Sequence, residues 1–133
     1  MTAIPGRLLV LGALLTLAGC GDPQRQAAGK TLHEVGEANF RREAAGLYKQ
    51  LFVAPTGQYF VPKPDQWPPT FRRFGPLRVR AYADGFSLAL RDGGRGEEGI
   101  YVVPIGMDRT PREGRNAEFE KISEGIYWYR FRE

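Results

Sequence analysis

A chain of 133 residues with one cysteine, one histidine and two serines has few of the side chains on which common chemistries are built. The single cysteine, Cys20, excludes an internal disulfide and a thiolate zinc cluster, and His33 alone supplies neither a multi-histidine metal site nor a Cys/His nucleophile pair away from the N-terminus. No metal and no cofactor is expected. The serines, Ser87 and Ser123, fall at predicted hairpin positions. Charge of one sign is also scarce. The formal net charge is +4, and Arg7 is the one charged residue before Cys20, so the rest carries +3, well short of a dedicated nucleic-acid protein. The length suits one domain with a real core.

What is present begins at the N-terminus. "MTAIPGRLLVLGALLTLAGC" carries a positive charge at Arg7, an uncharged apolar run from Leu8 to Ala18, and the small residues Ala18 and Gly19. These are the parts of an export signal, and the run is well short of the roughly 20 residues that span a bilayer comfortably. Leu17-Ala18-Gly19-Cys20 resembles the lipobox of bacterial lipoproteins. The resemblance covers residues 1–20. It implies diacylglyceryl transfer to Cys20 Sγ, cleavage before Cys20 and acylation (palmitate or a similar chain) of the new N-terminus. Two or more acyl chains make a stable anchor where one would be reversible. The expected organisation is a signal peptide over 1–19, the lipidated Cys20 with a flexible tether over 20–30, and a small domain over 31–133. The expected location is the cell envelope, on the periplasmic face of a membrane in a Gram-negative cell, inner or outer membrane left open. Export makes nucleic acid an unsuitable ligand.

The tether reading of "GDPQRQAAGK" rests on its lack of any aliphatic residue larger than alanine. "TLHE", Thr31 to Glu34, has a capping-box pattern and predicts a helix start. Phe40, Ala44, Leu47 and Leu51 then recur at helical spacing, widened by Tyr48 and Phe52. The prolines Pro62, Pro64, Pro68 and Pro69 favour an extended crossing, with a short helical turn in "WPPTFRRF" ended by Gly75-Pro76. Trp67, Phe71 and Phe74 are expected to pin that crossing to the core.

After Pro76 the period becomes two. "LRVRAYA" and "FSLALR" flank Asp84-Gly85, which suits a two-residue hairpin turn. That turn sets Val79 against Leu90 and Ala81 against Leu88 on one face, and Arg78 against Arg91 on the other. "DGGRGEEG", Asp92 to Gly99, reads as a flexible connection, and "IYVVPI" as a third strand. In the last hairpin a loop Ser123-Glu124-Gly125 puts Phe119 opposite Tyr129, Ala117 opposite Phe131 and Ile122 opposite Ile126. The fold class expected is α+β, an N-terminal helix packed on an antiparallel sheet of about four or five strands.

Arg78, Arg80, Tyr82 and Arg91 form the candidate anion- or partner-binding face, because like charges across a strand pair need a screening partner. The partners expected are the membrane, through lipid on Cys20, and an envelope protein, an anionic lipid or a glycan. Reversing Arg78, Arg80 and Arg91 to glutamate is expected to abolish such binding with little loss of stability. The leading function is a non-enzymatic binding or accessory lipoprotein of the envelope. Two alternatives stand beside it: a small hydrolase-like enzyme using loop carboxylates such as Asp92, Glu97, Glu98 and Asp108, and a structural spacer.

Overall fold

The computed structural model describes residues 22–51, 59–93, 96–111 and 116–132. Cys20, the residues read as an export signal and Phe52 lie outside the described residues. The fold is α+β: helices α1 (Pro23–Val35), α2 (Glu37–Gln50) and α3 (Pro69–Arg73) precede the antiparallel strands β1 (Arg78–Tyr82), β2 (Gly85–Gly93), β3 (Gly96–Val102), β4 (Ala117–Ser123) and β5 (Ile126–Phe131). The strand order is β1-β2-β3-β5-β4.

The first helix begins earlier than the sequence reading placed it. Asp22 is its N-cap, accepting from the Gln24 N–H at 2.9 Å, and Pro23 occupies the first turn, where a missing N–H is harmless. Residues 23–30, read as part of a tether, are therefore helical, and Thr31 to Glu34 form the last turn rather than the first. The helix ends at Gly36, whose φ of +87° suits glycine and whose N–H donates to the Leu32 carbonyl. The Gly36 carbonyl then accepts from Phe40 N–H and opens α2. One glycine thus ends one helix and turns the chain into the next.

Ala28 and Leu32 of α1 and Phe40, Ala44 and Leu47 of α2 bury their stripe against Val79, Ala81, Phe86, Leu88, Leu90, Ile100, Val102, Ile126 and Trp128 of the sheet. Phe71 is fully buried between Phe40 and Phe86, with ring centroids at 5.4 and 5.5 Å, and Trp67 and Phe74 pack at its margin as expected. The segment before α3 adds one bridge to the sheet edge, Phe60 pairing with Ala81 in both hydrogen-bond directions.

Alternation assigns the apolar face of the first hairpin correctly, but the register differs by two residues. Val79 pairs with Leu88 and Ala81 with Phe86, so the turn is Ala83-Asp84 rather than Asp84-Gly85. A two-residue shift preserves which side chains point inward, since the period is two. In the last hairpin Phe119 pairs with Tyr129 and Ala117 with Phe131 as expected. Ile122, however, is bulged out, and Ser123 takes the place opposite Ile126. Gly125 holds the expected left-handed conformation, φ +72°.

Asp92–Gly93 and Gly96–Gly99, read as part of a flexible connection, are strand residues, and Gly94 and Arg95 lie outside the described residues. Arg91 pairs with Glu98, Asp92 with Glu97 and Gly93 with Gly96, so β2 and β3 run to the ends of this segment. β3 correspondingly starts at Gly96, ahead of the predicted Ile100, and stops at Val102.

Candidate functional site

The sheet has a second face, away from the helices. The cross-strand rows Arg80, Ser87, Tyr101, Tyr127 and Arg78, Ala89, Gly99, Tyr129 lie on it. Tyr101, Val103, Tyr127 and Tyr129 are buried there, with Tyr82, Met107, Phe119 and Phe131 packed around them. Tyr101 meets Phe119 edge-on at 5.1 Å, and Tyr129 lies tilted against Phe131 at 4.5 Å. The Ser87 hydroxyl, buried in this layer, has no hydrogen-bond partner.

A β-bulge at Leu90 decides what lies at one end of this face. Ala89 pairs with Gly99 and Arg91 with Glu98, so Leu90 is an extra residue and the side-chain alternation of β2 shifts by one. Leu88 and Leu90 both face the helices. Arg91 follows onto the helix face, and Asp92 takes the open face beside Arg78. The expected opposition of Arg78 and Arg91 is corrected on two grounds: the two-residue register difference pairs Arg78 with Ala89, and the bulge places the Asp92 carboxylate rather than Arg91 beside it.

Of the four predicted site residues, Arg78, Arg80 and Tyr82 share the open face, and Arg91 lies on the other side of the sheet. Arg78 donates to Asp92 through both terminal nitrogens, at 3.0 and 2.5 Å, and to Glu97 Oε1 at 2.6 Å. Arg80 donates to the same Glu97 oxygen at 2.6 Å and stacks over the Tyr59 ring, 5.3 Å from its centroid. The Tyr129 hydroxyl donates to Glu97 Oε2 at 2.6 Å. Glu97 is thus a buried carboxylate fed by two guanidiniums and a phenol. Sequence reasoning placed it in a loop. Arg91 pairs instead with Asp22 at the start of α1 and with Glu98 at 2.9 Å, and Glu98 also accepts from Arg130 and the Trp128 indole, each at 3.2 Å.

These contacts set the protonation states. Hydrogen bonding from Arg78 holds the Asp92 carboxyl below its usual range, and hydrogen bonding from Arg91 does the same for Asp22. Burial works against ionisation of Glu98, yet Arg91, Trp128 and Arg130 together hold its carboxyl low. Asp92 pulls the Arg78 guanidinium further from deprotonation.

Beside this network lies an open pocket of about 400 Å³, lined by Arg78, Arg80, Asp92, Glu97, Phe131 and Arg132 together with Gly93 and Gly96. The cavity presents guanidinium edges and carboxylate oxygens together, over an aromatic wall. Among the described residues no cluster of three or more His, Cys, Asp or Glu side chains has the arrangement of a metal site.

Each arginine expected to need a screening partner is therefore engaged by a carboxylate, and reversing Arg78, Arg80 or Arg91 to glutamate would set like charges against Glu97 or Glu98. The expectation of little stability loss is withdrawn on that ground. The same network makes a direct prediction. Glu97→Gln is expected to destabilise the domain by about 2 kcal/mol, because the amide cannot neutralise two guanidiniums and turns an N–H donor toward other donors. The part-exposure of Arg78 and Arg80 keeps the loss below that of a fully buried pair. Urea denaturation measures it, with Arg80→Gln and the double variant completing a cycle whose coupling should exceed 0.5 kcal/mol in order of magnitude, about the threshold for residues in one network. Additive losses would mean that the two side chains do not interact.

Comparison with protein-family models, with curated proteins and with solved structures finds no match to this chain.

Proposed function

We propose that this protein is a lipid-anchored lipoprotein of the cell envelope, acting as a non-enzymatic binding or accessory module. Acyl chains on Cys20 hold it to the membrane, and the pocket at the end of its sheet meets a partner there. The anchor reading is supported by the lipobox, Leu17-Ala18-Gly19-Cys20, behind an export signal.

The observation that carries the binding reading is the pocket beside Glu97, where three arginines and two carboxylates converge with an aromatic ring. Its acidic side chain Asp92 is drawn toward the ionised form by Arg78, which suits a fixed electrostatic partner better than a general acid. The tyrosine layer behind it gives a stiff backing, and Tyr59, half-exposed next to Arg80, extends the polar wall with an aromatic rim.

Two measurements test the reading. Palmitate labelling in cells should mark the wild-type chain and its membrane fraction, and Cys20→Ala should lose the label and remain unprocessed. Label that persists in Cys20→Ala, or a mature wild-type chain recovered without lipid, overturns the anchor. For the binding part, a photo-crosslinking side chain at Tyr59 should give a reproducible envelope adduct, and its absence in membranes that hold the labelled protein would overturn the binding module in favour of a spacer.

A further inference from the structure

The start of α1 leaves no room for a tether. Asp22 caps the helix and is ion-paired to Arg91 near the end of β2, so the fixed part of the domain begins at Asp22. Only Gly21 separates it from Cys20. Two consecutive Cα–Cα steps reach at most about 7 Å, about the thickness of one headgroup layer, where the ten-residue tether read from the sequence would have reached about 33 Å. Given the lipid anchor proposed above, on which this inference rests, the strand ends around Arg91 sit among the headgroups.

What the domain presents there is not a patch of one sign. Arg91, Glu98 and Arg130 lie on the helix side of these strand ends, where the Arg132 guanidinium joins Arg130 on Glu118 at 3.0 Å, and Arg78, Asp92 and Glu97 lie on the other. The pocket opens at this same end, since Asp92, Gly93, Gly96, Phe131 and Arg132 are terminal residues of β2, β3 and β5 or the residue just beyond. A ligand that is only an anion must compete with Asp92 for Arg78. A ligand that carries phosphate and ammonium together meets both signs: phosphate oxygens accept from the Arg78 and Arg80 guanidiniums, the ammonium donates to Asp92, and the short carbon link lies on the Phe131 ring.

We propose that this pocket takes a phosphoethanolamine group, the headgroup of a phospholipid in the membrane that anchors the chain, so that the domain lies with the ends of β2, β3 and β5 against its own bilayer. The group is small for a cavity of about 400 Å³, which leaves the pocket open to the headgroup plane rather than closed around a whole lipid.

The test uses the full mature chain purified from membranes, with its intact mass read first. Side-chain Nε–H resonances of Arg78 and Arg80 are then compared in dodecyl maltoside micelles, in nanodiscs of phosphatidylglycerol, in nanodiscs containing phosphatidylethanolamine, and in micelles with added soluble phosphoethanolamine. Both resonances are expected to move in the phosphatidylethanolamine discs relative to micelles, and to move less in phosphatidylglycerol. Asp92→Asn should remove the difference between the two lipids. Equal shifts in both lipids would overturn recognition of a two-signed group. Shifts with soluble phosphoethanolamine but not with the discs would overturn the membrane as its source. No shift in any arm, for a chain whose mass includes the diacylglyceryl group, overturns this proposal and leaves the anchor standing, whereas a mass with a free Cys20 overturns both.

Discussion

Replacing Gly99 by alanine is expected to lower folding stability by about 3 kcal/mol, a drop in thermal midpoint of roughly 10 to 20 °C for a domain of this size. The cause is space rather than backbone conformation. A Cβ on Gly99 would lie 1.9 Å from the Leu88 carbonyl oxygen and 3.0 Å from the Leu90 nitrogen. Both atoms are backbone, held by the strand pairs on either side of the bulge, and neither can rotate away. Relief requires β2 to move off β3 or the bulge to be lost, and loss of the bulge would return Arg91 to the open face and take Asp92 from Arg78. The control is Gly29→Ala, inside α1, where an added Cβ meets nothing within 4 Å. That change should raise stability by up to about 1 kcal/mol through helix propensity. Chemical denaturation of both variants checks the pair, and a Gly99→Ala protein within about 0.5 kcal/mol of wild type would mean that the bulge does not approach Gly99 as described.

The same bulge marks where the sequence stopped being legible. Strict alternation in "LRVRAYA" and "FSLALR" identified the buried set Val79, Ala81, Phe86 and Leu88, and a register error of two left that set unchanged. Leu90 keeps its expected inward place, but from Arg91 on the inserted residue reverses the alternation of β2, and Leu-Arg-Asp carries no pattern that announces it. Glycine at 99 was the available signal, because a glycine inside a strand marks close backbone approach, but three more glycines nearby made the segment read as a loop. The charged ends of β2 and β3 were lost with it. Asp92, Glu97 and Glu98 look like loop carboxylates in one dimension and become strand residues once Arg78, Arg80 and Arg91 neutralise them.

The first helix failed for the opposite reason. Asp22-Pro23 is a helix-start signal as direct as Thr31 to Glu34, yet the absence of large aliphatic residues outweighed it. Ala28 and Leu32 are the buried residues α1 contributes, so its packing is thin, and long-range polar contacts supplement it. Gln24 Nε2 donates to the Leu90 carbonyl at 2.6 Å, and Arg25 pairs with Glu120 while lying over Trp128. Periodicity does not register such contacts. It served well for α2, whose apolar stripe is the one predicted, and for the crossing pinned by Trp67, Phe71 and Phe74.

The tyrosine layer of the open face gives the second large expected effect, unfolding in alkali. Burial pushes the hydroxyls of Tyr82, Tyr101 and Tyr129 above the usual range, and the negative charges of Asp84 by Tyr101 and Glu97 by Tyr129 push them further. In the unfolded chain all three ionise near pH 10, and in the folded one they keep their protons. Their contribution to stability is therefore complete below about pH 10 and is lost as pH rises from there toward the folded values. Each contributes up to about 1.4 kcal/mol of loss per pH unit, so together they remove about 4 kcal/mol per unit. A domain of ordinary stability then unfolds cooperatively within one to three units above pH 10. Tyrosinate absorbance and circular dichroism followed in one titration should show a block of tyrosines ionising together with loss of the fold. Tyr129→Phe should make the stability loss shallower by about one proton, since the remaining two raised tyrosines still drive it. Smooth ionisation of all tyrosines near pH 10 with the native dichroism retained would show that the layer is open to water, and with it the Tyr129–Glu97 contact on which the pocket wall depends.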